Sequence, residues 1–248
     1  MELWQSFMHW LHGPHVNPDT AQAVGQAVGQ MDMGSLLALA AALGWASGLR
    51  LYAVVFTLGL LGASGLVALP GGLHVLEHPL VLVVSGGLLL VEFFADKIPL
   101  VDSAWDLIQS VLRIPAGAAL AAAVFGADNG VMTTVAALLG GALAATSQAA
   151  KTSTRALINT SPEPLSNLGA SLAEDTASVG ALWLAWSHPL AFALALLAAV
   201  ALMWLTIWTL WRFLKAAVRR LRGWLGMLPA PHALADPARA GIEYKKES

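Results

Sequence analysis

The chain contains no cysteine, which excludes disulfide bonds and thiolate metal centres. Charge is scarce as well. Only 11% of the 248 residues are Asp, Glu, Lys or Arg, against about 25% in soluble domains. With 57% of its residues hydrophobic, such a chain would expose large apolar surfaces in water, so a lipid bilayer is the expected solvent and partner. The N-terminus lacks a basic stretch ahead of an apolar core and opens with Glu2, so no cleavable signal is expected. The seven histidines form no i, i+4 pair inside an apolar run, and a histidine metal site has no support. Nucleic acid is not an expected partner. The basic cluster Arg212, Lys215, Arg219, Arg220 and Arg222 is short and abuts an apolar run, and an anionic membrane surface fits it better.

Six long apolar stretches are present, at residues 34–63, 79–96, 107–126, 131–150, 168–187 and 189–211. A spanning helix needs about 20 mostly apolar residues. The expected fold class is therefore all-α: a polytopic helical membrane protein of about six transmembrane helices. The separators are turn-like. Pro70, Gly71 and Gly72 lie in the first, Pro99 in the second and Asp128-Asn129-Gly130 in the third. Pro162 and Pro164 lie in the fourth, and Ser187-His188-Pro189 forms the fifth. Residues 34–222 form the membrane domain. Residues 1–33 read as an interfacial segment, since Trp4, Phe7, Met8 and Leu11 recur on one helical face. Residues 223–248, rich in proline, read as a disordered cytoplasmic tail. The first stretch is too long for a single crossing, about 45 Å as a helix against a hydrocarbon core of about 30 Å. A break is expected at Gly44 or at Ala46-Ser47-Gly48, with residues 44–63 crossing. Arg113 and Pro115 near the start of the third stretch suggest a short half-helix there.

Six crossings put both termini on one side, and the C-terminal basic cluster assigns that side to the cytoplasm. Lys97 and Arg113, then Lys151 and Arg155, fall at the two connections expected to be cytoplasmic. The connections near 65–78, 127–130 and 187–189 contain no lysine or arginine. The expected location is the cytoplasmic (inner) membrane.

This placement isolates charges that lie inside or at the edge of apolar runs: Arg50, Glu92, Asp96, Glu174 and Asp175. All fall within one or two turns of the cytoplasmic ends of their helices. A charge inside a membrane costs at least about 2.5–3.5 kcal/mol and persists when paired, hydrated or used. The functional reading is a cytoplasm-facing ion or solute path lined by these five residues. The structural reading is an ion pair, such as Arg50 with Glu92 or Glu174, that locks helices together. Glu92 and Asp96 are four apart and share a helix face, a spacing repeated by Asp102 and Asp106. Acids held this close do not both ionise freely, which suits proton coupling or cation binding. For Asp102 and Asp106 a solvated helix start, capped by Asp102, is the plainer reading. Lys151, Arg155 and Asn167 are further candidates beside the turn-rich segment 159–167. Thr146, Ser147 and Gln148 either line a pore or bond a neighbouring helix.

His78-Pro79-Leu80 and His188-Pro189-Leu190 echo one another, each opening an inward-running span, and suggest an inverted duplication of a three-helix unit. Gly62-Ala63-Ser64-Gly65 matches an intramembrane serine-protease signature, but it sits at a helix end in a chain rich in small residues, so no catalytic residue is assigned. Gly86-Gly87 and Gly140-Gly141 read as close-packing faces. Trp183, Trp186, Trp204, Trp208 and Trp211 read as interfacial belts.

The segments Ala46-Ser47-Gly48-Leu49-Arg50-Leu51-Tyr52, Val91-Glu92-Phe93-Phe94-Ala95-Asp96-Lys97-Ile98-Pro99, Val101-Asp102-Ser103-Ala104-Trp105-Asp106, Arg113-Ile114-Pro115-Ala116-Gly117, Asn159-Thr160-Ser161-Pro162-Glu163-Pro164 and Ser171-Leu172-Ala173-Glu174-Asp175 resemble bacterial membrane proteins of domain-of-unknown-function family 4126. The resemblance spans roughly residues 35–215. It implies a multi-spanning membrane protein, with no activity, cofactor or catalytic residue to transfer. The leading expectation is a small channel or transporter for a cation, a proton or a small polar solute. The alternatives are a scaffold or accessory subunit and a lipid head-group enzyme using Asp102 and Asp106 as metal ligands. No cofactor is expected, and a homo-oligomer is compatible with the sequence. Topology reporters test the orientation. A reporter active only outside the cytoplasm should be silent when fused after Trp224 and active when inserted between Gly65 and His78; an active C-terminal fusion would reverse the assignment.

Overall fold

The computed structural model describes residues 31–96, 98, 101–126, 129–158 and 164–224. The expected interfacial helix at the N-terminus and the tail after residue 224 lie outside these residues. Six α-helices and one short 3₁₀ helix make up the described structure: α1 (Met33–Ala63), the 3₁₀ helix (Gly71–Glu77), α2 (Pro79–Ala95), α3 (Val101–Ala123), α4 (Gly130–Ile158), α5 (Pro164–Ser187) and α6 (Pro189–Trp224). No strand occurs among the described residues. The chain is an all-α membrane protein. Helices α1, α4 and α6 are long and apolar enough to cross a bilayer, and α2 is an apolar helix of 17 residues.

The helix boundaries follow local chemistry. Asp32 caps α1, accepting from the Ser35 backbone N–H at 3.2 Å and from the Ser35 hydroxyl. These bonds hold its carboxyl below the usual carboxylate range. His78 caps α2 through Nδ1, 3.2 Å from the Leu80 N–H, with Pro79 at the first helical position. Asn129 opens α4 by accepting from the Met132 N–H at 3.2 Å. Ser187 ends α5 and Pro189 starts α6, as the Ser-His-Pro turn requires.

Helix α1 forms the axis. Residues 38–54, with Leu58 and Gly59, are buried, and the helix touches α2, α3, α4, α5 and the 3₁₀ helix. The expected break at Gly44 or Ala46–Gly48 is not there. Residues 44–49 are helical, and the departure falls at Arg50, with φ −144° and ψ 73°. The small residues serve packing instead. A Cβ on Gly44 would collide with the backbone of Gly140, one on Gly48 with Ser147 and Ala144, and one on Gly140 with Ala121 and Gly117. Backbones of α1, α3 and α4 therefore approach too closely for any side chain at these points. Gly87, expected on a packing face, has open space around it.

Two further expectations are corrected. The third stretch is not a half-helix: α3 runs for 23 residues with Pro115 inside it. Helix α4 continues to Ile158, so Lys151 and Arg155 are helical and buried, not loop charges. Arg113 is likewise helical and 0% exposed. The charge bias over the connections loses these three residues as support.

The outer faces are apolar. Leu90, Phe94, Leu107, Val111, Leu138, Leu194 and Leu197 are all well exposed. Trp183, Trp204, Trp208 and Trp211 are exposed too, whereas Trp186 is partly buried against the apolar core. Residues through Ile207 form one unit, and those from Trp208 onward form a second. In the second unit the Arg212 guanidinium lies 4.5 Å from the Trp208 ring centre, and the Lys215 ammonium 5.0 Å from that of Trp211.

The glycine contacts are testable by unfolding in detergent. Gly140→Ala should cost about 1–3 kcal/mol through overpacking. Gly87→Ala should leave stability unchanged or raise it by up to about 1 kcal/mol.

Candidate functional site

Three helices carry polar stripes at helical spacing. On α3 the stripe is Asp102, Asp106, Gln109 and Arg113; on α4 it is Gln148, Lys151 and Arg155; on α5 it is Asn167, Ser171, Glu174 and Ser178. Steps of three and four residues place each set on one helix face. All three faces turn inward. Apart from Glu174, whose side chain is 11% exposed, every member is at most 3% exposed. Helix α1 contributes Arg50, and α2 contributes Glu92 with Asp96 at its C-terminal cap.

These side chains form one network. Arg50 Nη1 lies 2.5 Å from Asp96 Oδ2 and 4.0 Å from Glu92 Oε1. Its Nε lies 3.0 Å from Asp175 and 3.6 Å from Glu174, and its Nη2 donates to the Ser171 hydroxyl at 2.5 Å. Arg113 pairs with Glu92, reaches Asp106 at 2.9 Å and donates to Gln148 Oε1 at 2.8 Å. Gln148 completes the link by donating to the Asp106 carbonyl at 3.1 Å. Arg155 grips both oxygens of Glu174 at 3.3 and 3.4 Å and lies 3.8 Å from Asp102. It also donates to the Asn167 side chain at 3.4 Å. Lys151 Nζ stands 3.1 Å from Asp106, 3.1 Å from Glu174 and 3.1 Å from the Leu49 carbonyl.

The five charges singled out in the sequence therefore do come together, and they face one another and further cations. The secondary candidates Asp102, Asp106, Lys151, Arg155 and Asn167 belong to the same network. The solvated helix start expected for Asp102 and Asp106 is overturned, since both are 0% exposed and ion-paired. Ser147 and Gln148 bond neighbouring helices: Ser147 donates to the Trp45 carbonyl at 2.7 Å. Sequence reasoning missed Arg113 and Ser171 as site residues. A signal existed, because Arg113 stands seven residues after Asp106, two helical turns along the same face.

Among the described residues, four cationic side chains (Arg50, Arg113, Lys151, Arg155) meet six carboxylates; four of these, Glu92, Asp96, Asp102 and Asp106, are fully buried, and Glu174 and Asp175 lie at the partly exposed edge. Glu92 Oε2, Asp96 Oδ1 and Asp106 Oδ2 are buried and accept no hydrogen bond. The network reaches the surface at Asp175, whose side chain is 36% exposed. Among the described residues no three His, Asp or Glu side chains are disposed to hold a metal ion. Asp102 and Asp106 are engaged by Arg155 and by Arg113 and Lys151.

Removing one partner from a buried pair leaves an uncompensated charge. Arg113→Ala should therefore destabilise the protein by about 3–5 kcal/mol, read from thermal or denaturant unfolding in detergent. Asp175→Asn, at the exposed edge, should cost less than about 1 kcal/mol.

No curated protein and no solved structure matches the chain. The sequence model of the family described as "Domain of unknown function (DUF4126)" matches residues 37–212, which contain every member of the network. The chain belongs to this family.

Proposed function

We propose that this protein is a small channel or transporter of the cytoplasmic membrane, in which the buried network takes up a proton or small cation. Six helices cross in this reading, and both termini are cytoplasmic. The observation that carries it is a set of buried carboxylate oxygens without donors, on Glu92, Asp96 and Asp106, in a network that reaches the surface at Glu174 and Asp175. A buried carboxylate oxygen without a donor is costly, so a proton or mobile cation is a natural counterweight. Asp175 and Glu174, the exposed members, form the entry. An inverted duplication of a three-helix unit would relate α1–α3 to α4–α6 and pair α2 with α5, so the shared His-Pro start of α2 and α6 does not support it.

A second reading has its own support. All four cations pair with carboxylates on other helices, so the network also suits a clasp in a scaffold subunit. Vesicle reconstitution separates the two. Under imposed proton, sodium, potassium or ammonium gradients, the wild type should carry flux. Glu174→Gln should stay folded and drop to the background of empty vesicles, whereas Glu92→Gln takes a partner from Arg113 and melts earlier in either reading. Absence of wild-type flux under every gradient would favour the clasp instead.

A further inference from the structure

Apart from the charge network, a cavity of about 180 Å³ lies where α5 and α6 meet Trp45 of α1. Leu184 stands one turn before the α5–α6 turn at His188, and Phe192 one turn after it. From there the cavity runs along the two helices to Ala177 and Ala199. Its walls on α5 and α6 are alanine, glycine, leucine and phenylalanine. Gly180, on the wall, has open space where a side chain would stand. Gly180 and Ala195 are exposed, whereas Trp45 and Phe192 are buried. The cavity therefore has a mouth on the apolar outer face and a floor in the core.

Of the side chains that line it, Trp45 alone carries a polar atom. Trp45 is 7% exposed, and its indole Nε1 is buried without an acceptor. A buried donor left unpaired is costly, and a buried tryptophan N–H ordinarily finds a partner. Water fits poorly. A buried water needs about two to four polar partners, and the side chains here offer one. An apolar cavity of about 150 Å³ stays dry and takes up benzene. The walls call for an apolar body and the indole for one acceptor.

We propose that the cavity between α1, α5 and α6 binds an uncharged apolar molecule through one carbonyl oxygen, which accepts from the Trp45 indole N–H. The shared chemistry is a carbonyl on hydrocarbon, supplied by the acyl ester of a membrane lipid or by a free lipid-soluble carbonyl compound. Either one enters from the bilayer through the mouth at Gly180 and Ala195. Binding changes no covalent bond. The walls reject charged or many-donor molecules, whose groups would go unpaired there. The indole is a donor only, so it prefers a ketone to a hydrocarbon of the same shape.

Nuclear magnetic resonance of the Trp45 indole N–H tests the site on the full-length protein. The tryptophans are isotope-labelled, and the protein is delipidated in an alkyl maltoside, a detergent without a carbonyl. The Trp45 signal is the one that Trp45→Phe removes; if that variant does not fold, replacing the other tryptophans in turn identifies it by elimination. Cyclohexanone should move this signal downfield saturably. Methylcyclohexane, of similar shape without an acceptor, should not. The signals of exposed Trp183 and Trp204 should not follow the same curve. Gly180→Leu and Ala195→Leu, at exposed positions of the mouth, should keep the Trp45 signal and abolish its response. Bilayer discs separate the two sources. Without ketone, a downfield Trp45 signal in ester-linked phosphatidylglycerol but not in its ether-linked analogue identifies a lipid ester. The same signal in both lipids, moved by cyclohexanone, identifies a free carbonyl compound. A signal unmoved by cyclohexanone and identical in both lipids, an equal response to methylcyclohexane, or a response that survives both mouth variants would overturn the site.

Discussion

Charge withdrawn from water must find its counter-charge inside the protein, and this constraint shapes the whole bundle. Ten ionisable side chains from five helices meet at one place among the described residues, and most have almost no exposure. Isolated, each would oppose insertion by several kcal/mol. Together they hold one another, provided that their helices come close enough. Glycines 44, 117 and 140 and the small residues around them allow that approach, bringing α1, α3 and α4 into backbone contact. The departure of α1 from helical geometry falls on Arg50, whose guanidinium reaches α2 and α5 at once.

Leucine, valine and phenylalanine cover much of the exposed surface, while the interior holds the charged network beside an apolar core that includes Leu39, Leu43, Val54 and Leu73. In lipid the apolar surface costs nothing, so stability rests on close packing and on polar contacts between helices. The network then has a feature a purely structural clasp does not need: Glu92, Asp96 and Asp106 each keep a buried carboxylate oxygen without a donor. A clasp is best when fully bonded, so these oxygens give the functional reading its weight.

Much of the fold was legible in the sequence. The six apolar stretches correspond to α1–α6, and the Ser-His-Pro and Asp-Asn-Gly separators fall where helices end and start. These features are local: hydropathy over about 20 residues and turn chemistry over three or four need no knowledge of neighbours. The helical end at Lys151 was misjudged for a related reason. A lysine and an arginine in an alanine-rich segment look like a membrane edge when counted singly. Only their spacing of four, with Gln148 three residues before, marks one buried face. Arg113 was assigned to a connection by the same habit.

From sequence alone came the solvent of this protein, its helical class, and the fact that Arg50, Glu92, Asp96, Glu174 and Asp175 had to be paired or used, because lipid penalises lone charge whatever the fold. Which charge meets which was decided by tertiary structure. Pairing depends on helix rotation and on backbone separation, which glycine contacts between distant segments set. No local pattern could place Lys151 between the carbonyl of Leu49 and the carboxylates of Asp106 and Glu174, since that enclosure exists only where four helices converge.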